Sequence, residues 1–348
     1  MTESDNLLNN ITEPDDDGTR DQTNIEDTNA ALIEDFLRER DVPLVDDSLP
    51  PDHRSGYVAV VGKPNVGKST LMNALLGEKL AIVSSKPQTT RSNQLGILTH
   101  QDFQIVFVDT PGIHKARTKL GEYMVDVAQS SIPDADVVLF IVDLSESPDA
   151  ADEAIANLIR DTKPESVILA LNKRDLVDED MAADHFAAYQ DLVSESDPLE
   201  ISATEGLNVD WLLDKLVERL PAGPRYFPAD ILTQTQLRDN VAEVIREQAL
   251  HLYEQEVPHA LAVKVEEFKE RSANLTYIAA TIYVERDSQK AILIGKKGEA
   301  LKQLGKLARA ELEPMLGTRV YLELWVKVLK NWRKDETALK RLGFDSSK

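Results

Sequence analysis

No cysteine occurs among the 348 residues, which excludes a disulfide framework, a thiolate-bound zinc and a cysteine nucleophile, and fits a reducing compartment. Although 42% of the chain is hydrophobic, it has no apolar run of about 18 residues to cross a bilayer. The acidic N-terminus also lacks the basic-then-apolar order of a signal peptide. The expectation is a soluble, cytoplasmic protein, long enough for two domains with tails. Bases are scarce, 39 Lys and Arg against 61 Asp and Glu for a net charge of −22, a balance that repels phosphate. The deficit is uneven: residues 1–55 carry roughly 16 acids to 4 bases, whereas Arg286 to Lys348 carry roughly 15 bases to 8 acids. Any nucleic-acid contact therefore belongs to the C-terminal end.

Residues 1–55, rich in Asp, Glu, Asn and Thr, read as a disordered extension in which Asn29 to Arg40 has the pattern of a turn or two of amphipathic helix. From Tyr57 onward, YVAVVG, FQIVFVD, DVVLFIVD, SVILALNK and LEISA alternate with the helix-spaced segments KSTLMNALLG, EAIANLIRDT, DHFAAYQDLV and NVDWLLDKLVERL. That alternation predicts an α/β domain over 56–220 with a doubly wound, mainly parallel sheet. PAGPRYFP, residues 221–228, places three prolines and a glycine in eight residues and predicts a linker over 221–230. Residues 231–348 read as a smaller α+β domain: helix Gln234 to Tyr253, strands Ala260 to Lys269 and Leu275 to Glu285, helix Glu299 to Leu316, strand Arg319 to Val328 and a last basic helix Asn331 to Leu342.

YVAVV runs directly into Gly62-Lys63-Pro64-Asn65-Val66-Gly67-Lys68-Ser69-Thr70 and a helix, the GxxxxGK[ST] pattern in strand–loop–helix context. Glycines let the backbone wrap its N–H groups around phosphate oxygens, and the helix adds the positive end of its dipole. Lys68 is expected to neutralise the β- and γ-phosphates and Ser69 to ligate Mg²⁺. This loop alone does not choose between ATP and GTP. Asp109-Thr110-Pro111-Gly112 follows a strand, where the Asp can hold Mg²⁺ through water and the Gly112 N–H can sense a γ-phosphate. Asn172-Lys173-Arg174-Asp175 follows another, and the Asp175 carboxylate can accept both N1–H and N2–H₂ of guanine. Ser202-Ala203 offers a backbone N–H to guanine O6. Four such segments at successive strand ends sit where open α/β sheets bind ligands.

GKPNVGKS, QTTR, DTPGIH, NKRD and SAT together resemble the Era family of TRAFAC-class GTPases. The resemblance implies that Thr90, in Gln88-Thr89-Thr90-Arg91, reaches Mg²⁺ and the γ-phosphate, with Thr89 as the alternative. Ile113 stands where Ras-like proteins carry a water-orienting Gln, so hydrolysis must be arranged differently. Asn65 matches the position at which related GTPases coordinate K⁺; equally, its side chain could only tighten its own loop.

Ile294-Gly295-Lys296-Lys297-Gly298 precedes the helix EALKQLGKLARAELEPML. Such a GxxG loop is either a plain turn or the clamp with which KH domains hold single-stranded RNA. The order of helix, two strands, GxxG junction, helix and strand fits a type II KH domain. YIAATIYVERDSQKAILIGKKG and LELWVKVLKNWRKDETALKRLGF also resemble the C-terminal half of the Era family, so the resemblance extends from Gly56 to Phe344; the acidic N-terminal extension departs from it. What it implies is a monomeric GTP/GDP switch that binds near the 3′ end of small-subunit (16S) rRNA and assists 30S assembly. Peripheral membrane association is implied by the family alone, and the acidity opposes attraction to anionic lipids. Against this stand another RNA-linked GTPase such as a tRNA-modification partner, disfavoured by GKKG, a non-enzymatic RNA-binding module, separable by GTP turnover, and an ATPase, disfavoured by NKRD. Trp325, in an alternating strand, is expected to pack in the core or at an edge; Trp332 is open between packing and base stacking. The six histidines lack ligand spacing, so Mg²⁺ and K⁺ are the metals in view.

Overall fold

Strand β4 (Val137–Asp143) is buried at all seven positions, the signature of a strand covered by helices on both faces. It sits in a six-stranded sheet with β1 (Arg54–Val61), β3 (Phe103–Asp109), β5 (Val167–Asn172) and β6 (Asp197–Glu200) parallel to it in chain direction and β2 (Gln94–Thr99) at one edge, in the order β2-β3-β1-β4-β5-β6. The computed structural model describes residues 49–77, 90–91, 93–113, 118–229, 237–253, 257–272 and 274–344. The segment Asn29 to Arg40, and Gln88 and Thr89, lie outside them. One sheet face packs Val58, Val60, Ile105 and Leu139 under helices α1 (Lys68–Leu76) and α5 (Val209–Arg219). The other packs Val61, Phe140 and Val142 under α2 (Lys119–Ser130), α3 (Ala150–Thr162) and α4 (Glu179–Leu192).

Two elements of this lobe escape the sequence reading. β2 (Gln94–Thr99) pairs antiparallel with β3. Gly96 interrupts its pattern because a Cβ there would stand 2.5 Å from the Leu76 side chain. Helix α2 buries Leu120, Met124 and Ala128, a four-residue spacing too narrow to stand out beside its polar neighbours.

The start of β1 is anchored against the end of α5. Residues from Leu49 onward are described, His53 is buried, and Arg54 Nη1 donates to Leu220 O at 2.6 Å. The proline-rich segment is strapped to the same lobe: Ser55 N–H donates to Pro221 O at 3.1 Å, and fully buried Gln104 donates to Phe227 O at 2.8 Å while accepting from the N–H of Tyr226 and Phe227.

The second lobe runs α6 (Leu237–Leu252), α7 (Val257–Ala260), β7 (Ala262–Ser272), β8 (Leu275–Val284), α8 (Asp287–Ile294), α9 (Glu299–Leu316), β9 (Arg319–Val328) and α10 (Glu336–Arg341). Its sheet has the order β7-β8-β9, with β7 antiparallel and β9 parallel to β8. The long C-terminal helix expected from Asn331 to Leu342 is instead a 3-10 turn, Trp332–Lys334, followed by α10. Asn331 adopts φ 56° and Asp335 restarts the chain by accepting from Ala338 N–H at 2.9 Å, a cap that ends one helix and begins another. Leu120 and Met124 of α2 meet Ala262, Tyr283, Trp332 and Leu339 in a shared cluster, joining the two lobes.

Candidate nucleotide and RNA sites

The first site gathers at the C-terminal ends of β1, β3, β4 and β5, where the sheet order reverses around β1. Gly62, Asn65 and Gly67 have φ of 157°, 67° and 105°, a sequence of turns that curls the loop from Gly62 to Lys68 at the N-terminus of α1, the backbone form that suits an anion. Gly67 has no room for a side chain, since its Cβ would lie 2.2 Å from Asn172 Nδ2. Lys68 is buried and its Nζ donates to Gly62 O at 3.1 Å and Lys63 O at 2.8 Å. Burial lowers its pKa to about 8, against the opposing pull of Asp109.

Ser69, Thr90 and Asp109 converge. Ser69 Oγ donates to Asp109 Oδ2 at 2.9 Å and lies 3.2 Å from Thr90 Oγ1, which donates to the same carboxylate oxygen at 3.4 Å. Burial raises the Asp109 pKa to about 6, opposed by Lys68, Ser69 and Thr90. Its Oδ1 is buried without a hydrogen-bond partner. An unsatisfied buried carboxylate oxygen beside two hydroxyls is a donor set suited to a hard divalent cation. Thr110 Oγ1 donates to Val60 O at 2.7 Å, fixing the turn through Pro111 to Gly112. A Cβ on Gly112 would stand 2.6 Å from Pro64 N, and Ile113 N–H donates to Gly62 O at 3.1 Å. Ile113 itself turns into the core.

The base-side residues separate into supports and open groups. Asn172 Nδ2 donates to Val66 O at 2.8 Å and its Oδ1 accepts from Ala203 N–H at 2.9 Å. Asn172 is thus a strut between the phosphate loop and the Ser202-Ala203 turn. Of the Ser202-Ala203 pair, from which one backbone N–H is expected to face guanine O6, the Ala203 N–H donates to that strut. Ser202 Oγ accepts from Glu205 N–H at 3.1 Å and rounds the same turn. Lys173, at φ 67°, pairs with Asp143. Asp175 is exposed on a 3-10 turn whose position is held by Arg174, a residue the sequence reading left without a role: it donates to Glu200 at 2.7 Å and Val177 O at 2.9 Å. Lys63 points away, toward α3, where it pairs with Asp152 at 2.8 Å and Asp149 at 3.1 Å. Asn65 is exposed at the loop tip.

The second site lies on the other lobe. Ile294 ends α8, and Gly295, Lys297 and Gly298 take φ of 70°, 54° and 81°. The resulting 3-10 turn exposes Lys296 and Lys297 at the N-terminus of α9. A Cβ on Gly295 would stand 2.6 Å from Ala300 Cβ, so the close return of the chain requires glycine. Beyond the loop opens a groove of about 430 Å³ between α9 and β9, bordered by Gly298, Lys302, Gly305, Arg309, Tyr321 and Leu324. Lys302 and Arg309 stand seven residues apart on one helix face, a spacing that the sequence contained but the reading did not use.

The pieces define a class: a P-loop GTPase lobe followed by a KH lobe. The family model described as a 50S ribosome-binding GTPase matches residues 57–173, and that of the KH domain matches 256–333. Over 84% of this chain and 99% of the other, the fold is shared at 42% identity and a TM-score of 0.81 with Era solved in complex with MgGDPNP and nucleotides 1506–1542 of 16S ribosomal RNA. A tyrosine-to-alanine variant of Aquifex aeolicus Era, bound to GDP and AlF4−, is 41% identical with a TM-score of 0.79 over 84% of this chain. The chain belongs to the Era family of GTPases. Among the described residues no helix is long and apolar enough to cross a membrane.

Proposed function

We propose that the protein binds and hydrolyses GTP, that it holds single-stranded RNA near the 3′ end of small-subunit rRNA through its KH lobe, and that it uses this pair of activities in 30S assembly. The observation that carries the reading is the meeting of Ser69, Thr90 and Asp109 around an unpartnered buried carboxylate oxygen, on a chain whose GKKG turn opens into a basic groove.

Ser69, Thr90 and Asp109 would hold Mg²⁺, which neutralises phosphate charge when bound. Lys68 releases its loop carbonyls to take the β- and γ-phosphates, and the N–H groups of Gly62 to Thr70 cradle them. Gly112 lies against Pro64, so the loop after β3 senses what occupies the γ-phosphate position. Asp175 recognises guanine, and Asn172 keeps its turn in register with the phosphate loop. The aliphatic Ile113 does not orient water, and a K⁺ ion at Asn65 would supply transition-state charge stabilisation in place of a polar side chain. On this reading the protein acts as a cytoplasmic monomer; peripheral association with a membrane rests on family resemblance alone.

The test is a double substitution, Lys296→Asp with Lys297→Asp, which keeps both glycines. If the loop and groove meet about four phosphates, log affinity falls with log salt at about −0.7 per contact, and the variant slope is shallower by roughly one to one and a half. Intrinsic GTP turnover should persist while any acceleration by RNA disappears. A folded variant with wild-type RNA affinity and slope would reduce GKKG to a turn.

A further inference from the structure

Along β9, Val320 and Val326 are buried, whereas Tyr321 and Trp325 are 58% and 57% exposed. Alternation therefore turns the two rings onto the sheet face opposite α6, α8 and α9. Tyr321 stands beside Tyr277 in register across β8 and β9, their centroids 5.8 Å apart at 24°. The Arg271 guanidinium lies 4.2 Å over the Tyr277 ring. Glu323, between the rings, accepts from Tyr277 Oη at 2.8 Å and from Trp325 Nε1 at 3.1 Å. Its charge is engaged in fixing their orientation. Exposed Lys269, Arg319 and Lys327 flank the rings; Lys269 pairs with Glu267 at 2.8 Å.

This open area is bounded on two sides. At the far end of the same face, Ala262 and Tyr283 are covered by Leu120 and Met124 of the GTPase lobe. At the near edge, Tyr321 also borders the groove that begins at Gly298 and contains Lys302 and Arg309. A strand leaving that groove meets Tyr321 first, then the oriented rings and cations beyond it.

We propose that Tyr277, Tyr321 and Trp325 form a second contact surface for single-stranded RNA, a base-stacking platform that continues the GKKG groove around the edge of β9 toward the GTPase lobe. The inference rests on the RNA-binding reading of the groove. Exposed aromatic rings flanked by cations are what single-stranded nucleic acid requires: each base offers a π-face to stack, and the cations follow the phosphates. An apolar protein partner would have little use for Arg271, Lys269, Arg319 and Lys327.

Two RNAs separate the platform from the groove: one of about four nucleotides, the length that a GxxG loop clamps, and one of about twelve from the 3′ end of 16S rRNA. Lys296→Asp with Lys297→Asp should weaken both. Trp325→Ala should leave the short RNA unaffected and weaken the long one about tenfold, the loss of one stacked base. Wild-type affinity of Trp325→Ala for the long RNA would overturn the platform while leaving the groove intact, and indifference of both RNAs to the lysines would overturn the groove. Emission supplies an independent readout. In a Trp211→Phe background only buried Trp332 and exposed Trp325 remain, so the long RNA should quench the exposed fluorophore; no quenching at saturation overturns the proposal. Dissociation of a dimer on Trp325→Ala, with RNA affinity unchanged, would give the face to a second copy and overturn it as well.

Discussion

Arg91 Nη1 donates to the main-chain oxygen of Leu261 at 2.7 Å, and so ties the chain segment that carries Thr90 to the start of β7 in the other lobe. Nη2 reaches His259 O at 3.4 Å, and the guanidinium lies 5.7 Å from the centre of the buried Trp332 ring. Burial and the neighbouring Arg246 pull its pKa down to about 9, with Glu243 opposing and Arg333 adding to the shift, so it is still charged at neutral pH. A residue beside the proposed γ-phosphate ligand thus supplies donors to the lobe that carries the GKKG turn. Trp332 donates to Ala260 O at 2.9 Å and stacks against Phe344, so the same carbonyl-rich turn is held from both sides.

Arg91→Ala should leave the Leu261 and His259 carbonyls without this donor, at a cost of about 1.5–3 kcal/mol for hydrogen bonds to a charged group. Hydrogen exchange over residues 259–262 should rise, and its difference between GDP and a non-hydrolysable GTP analogue should shrink. Exchange that still follows the nucleotide at wild-type amplitude would remove Arg91 from the coupling.

Asn172→Ala deletes both ends of the strut between Val66 and Ala203. Two hydrogen bonds at about 1 kcal/mol each predict roughly thirtyfold weaker guanine-nucleotide binding, in GDP and GTP alike because the strut does not touch the γ-phosphate loop. Fluorescent-nucleotide titration measures it. Asp175→Asn should behave differently: affinity for GTP falls and affinity for xanthosine triphosphate appears, because the amide donates to the carbonyl that xanthine presents in place of N2–H₂. Unchanged GTP affinity would remove Asp175 from the base site.

Gly112→Ala tests contact between the two phosphate-side loops. The added Cβ would fall 2.6–2.9 Å from Pro64 backbone and ring atoms, and backbone cannot yield as a flexible side chain does. GDP binding should survive, since the β-phosphate cradle belongs to the first loop, while discrimination in favour of the triphosphate is lost. Equal losses for both nucleotides would show that the clash merely collapses the cradle.

The glycine spacing at Gly62 and Gly67, and the apolar runs of β1, β3, β4 and β5, were legible because local rules and tertiary packing ask for the same residues there. The strut was not. NKRD places Asn172 in the nucleotide site, but only the fold brings Val66 O and Ala203 N–H within its reach, where it braces two loops. Trp325, expected to pack in the core or at an edge, is exposed, and Trp332, open between packing and base stacking, is buried, for a related reason. The alternation of β9 does not reveal which sheet face remains open, and Trp332 is buried by Leu120 and Met124 from more than 200 positions earlier. β2 was hidden by Gly96, which serves the close approach of α1 rather than the strand itself.

Tyr253→Phe examines what holds the GKKG turn in place. Tyr253 Oη donates to Leu293 O at 2.9 Å, near the C-terminal end of α8, where helix carbonyls lack intrahelical partners. Both residues are buried, so removing the hydroxyl leaves an acceptor that water cannot easily reach, at a cost of about 1–3 kcal/mol. Melting should shift down by a few degrees. RNA affinity should fall modestly as the turn after Ile294 loosens, whereas GTP turnover, carried by the other lobe, should hold. Burial raises the Tyr253 pKa from 10.0 to about 12. The folded state therefore keeps this proton more tightly than the unfolded chain, and its contribution to stability, complete below pH 10, is lost as the pH rises toward 12. Subtracting the variant's alkaline denaturation curve from that of the wild type isolates this group from other tyrosines and lysines. A difference that stays constant from pH 9 to 12 would mean that the hydroxyl ionises as freely in the fold as in the unfolded chain, and that the carbonyl of Leu293 is satisfied by something other than Tyr253.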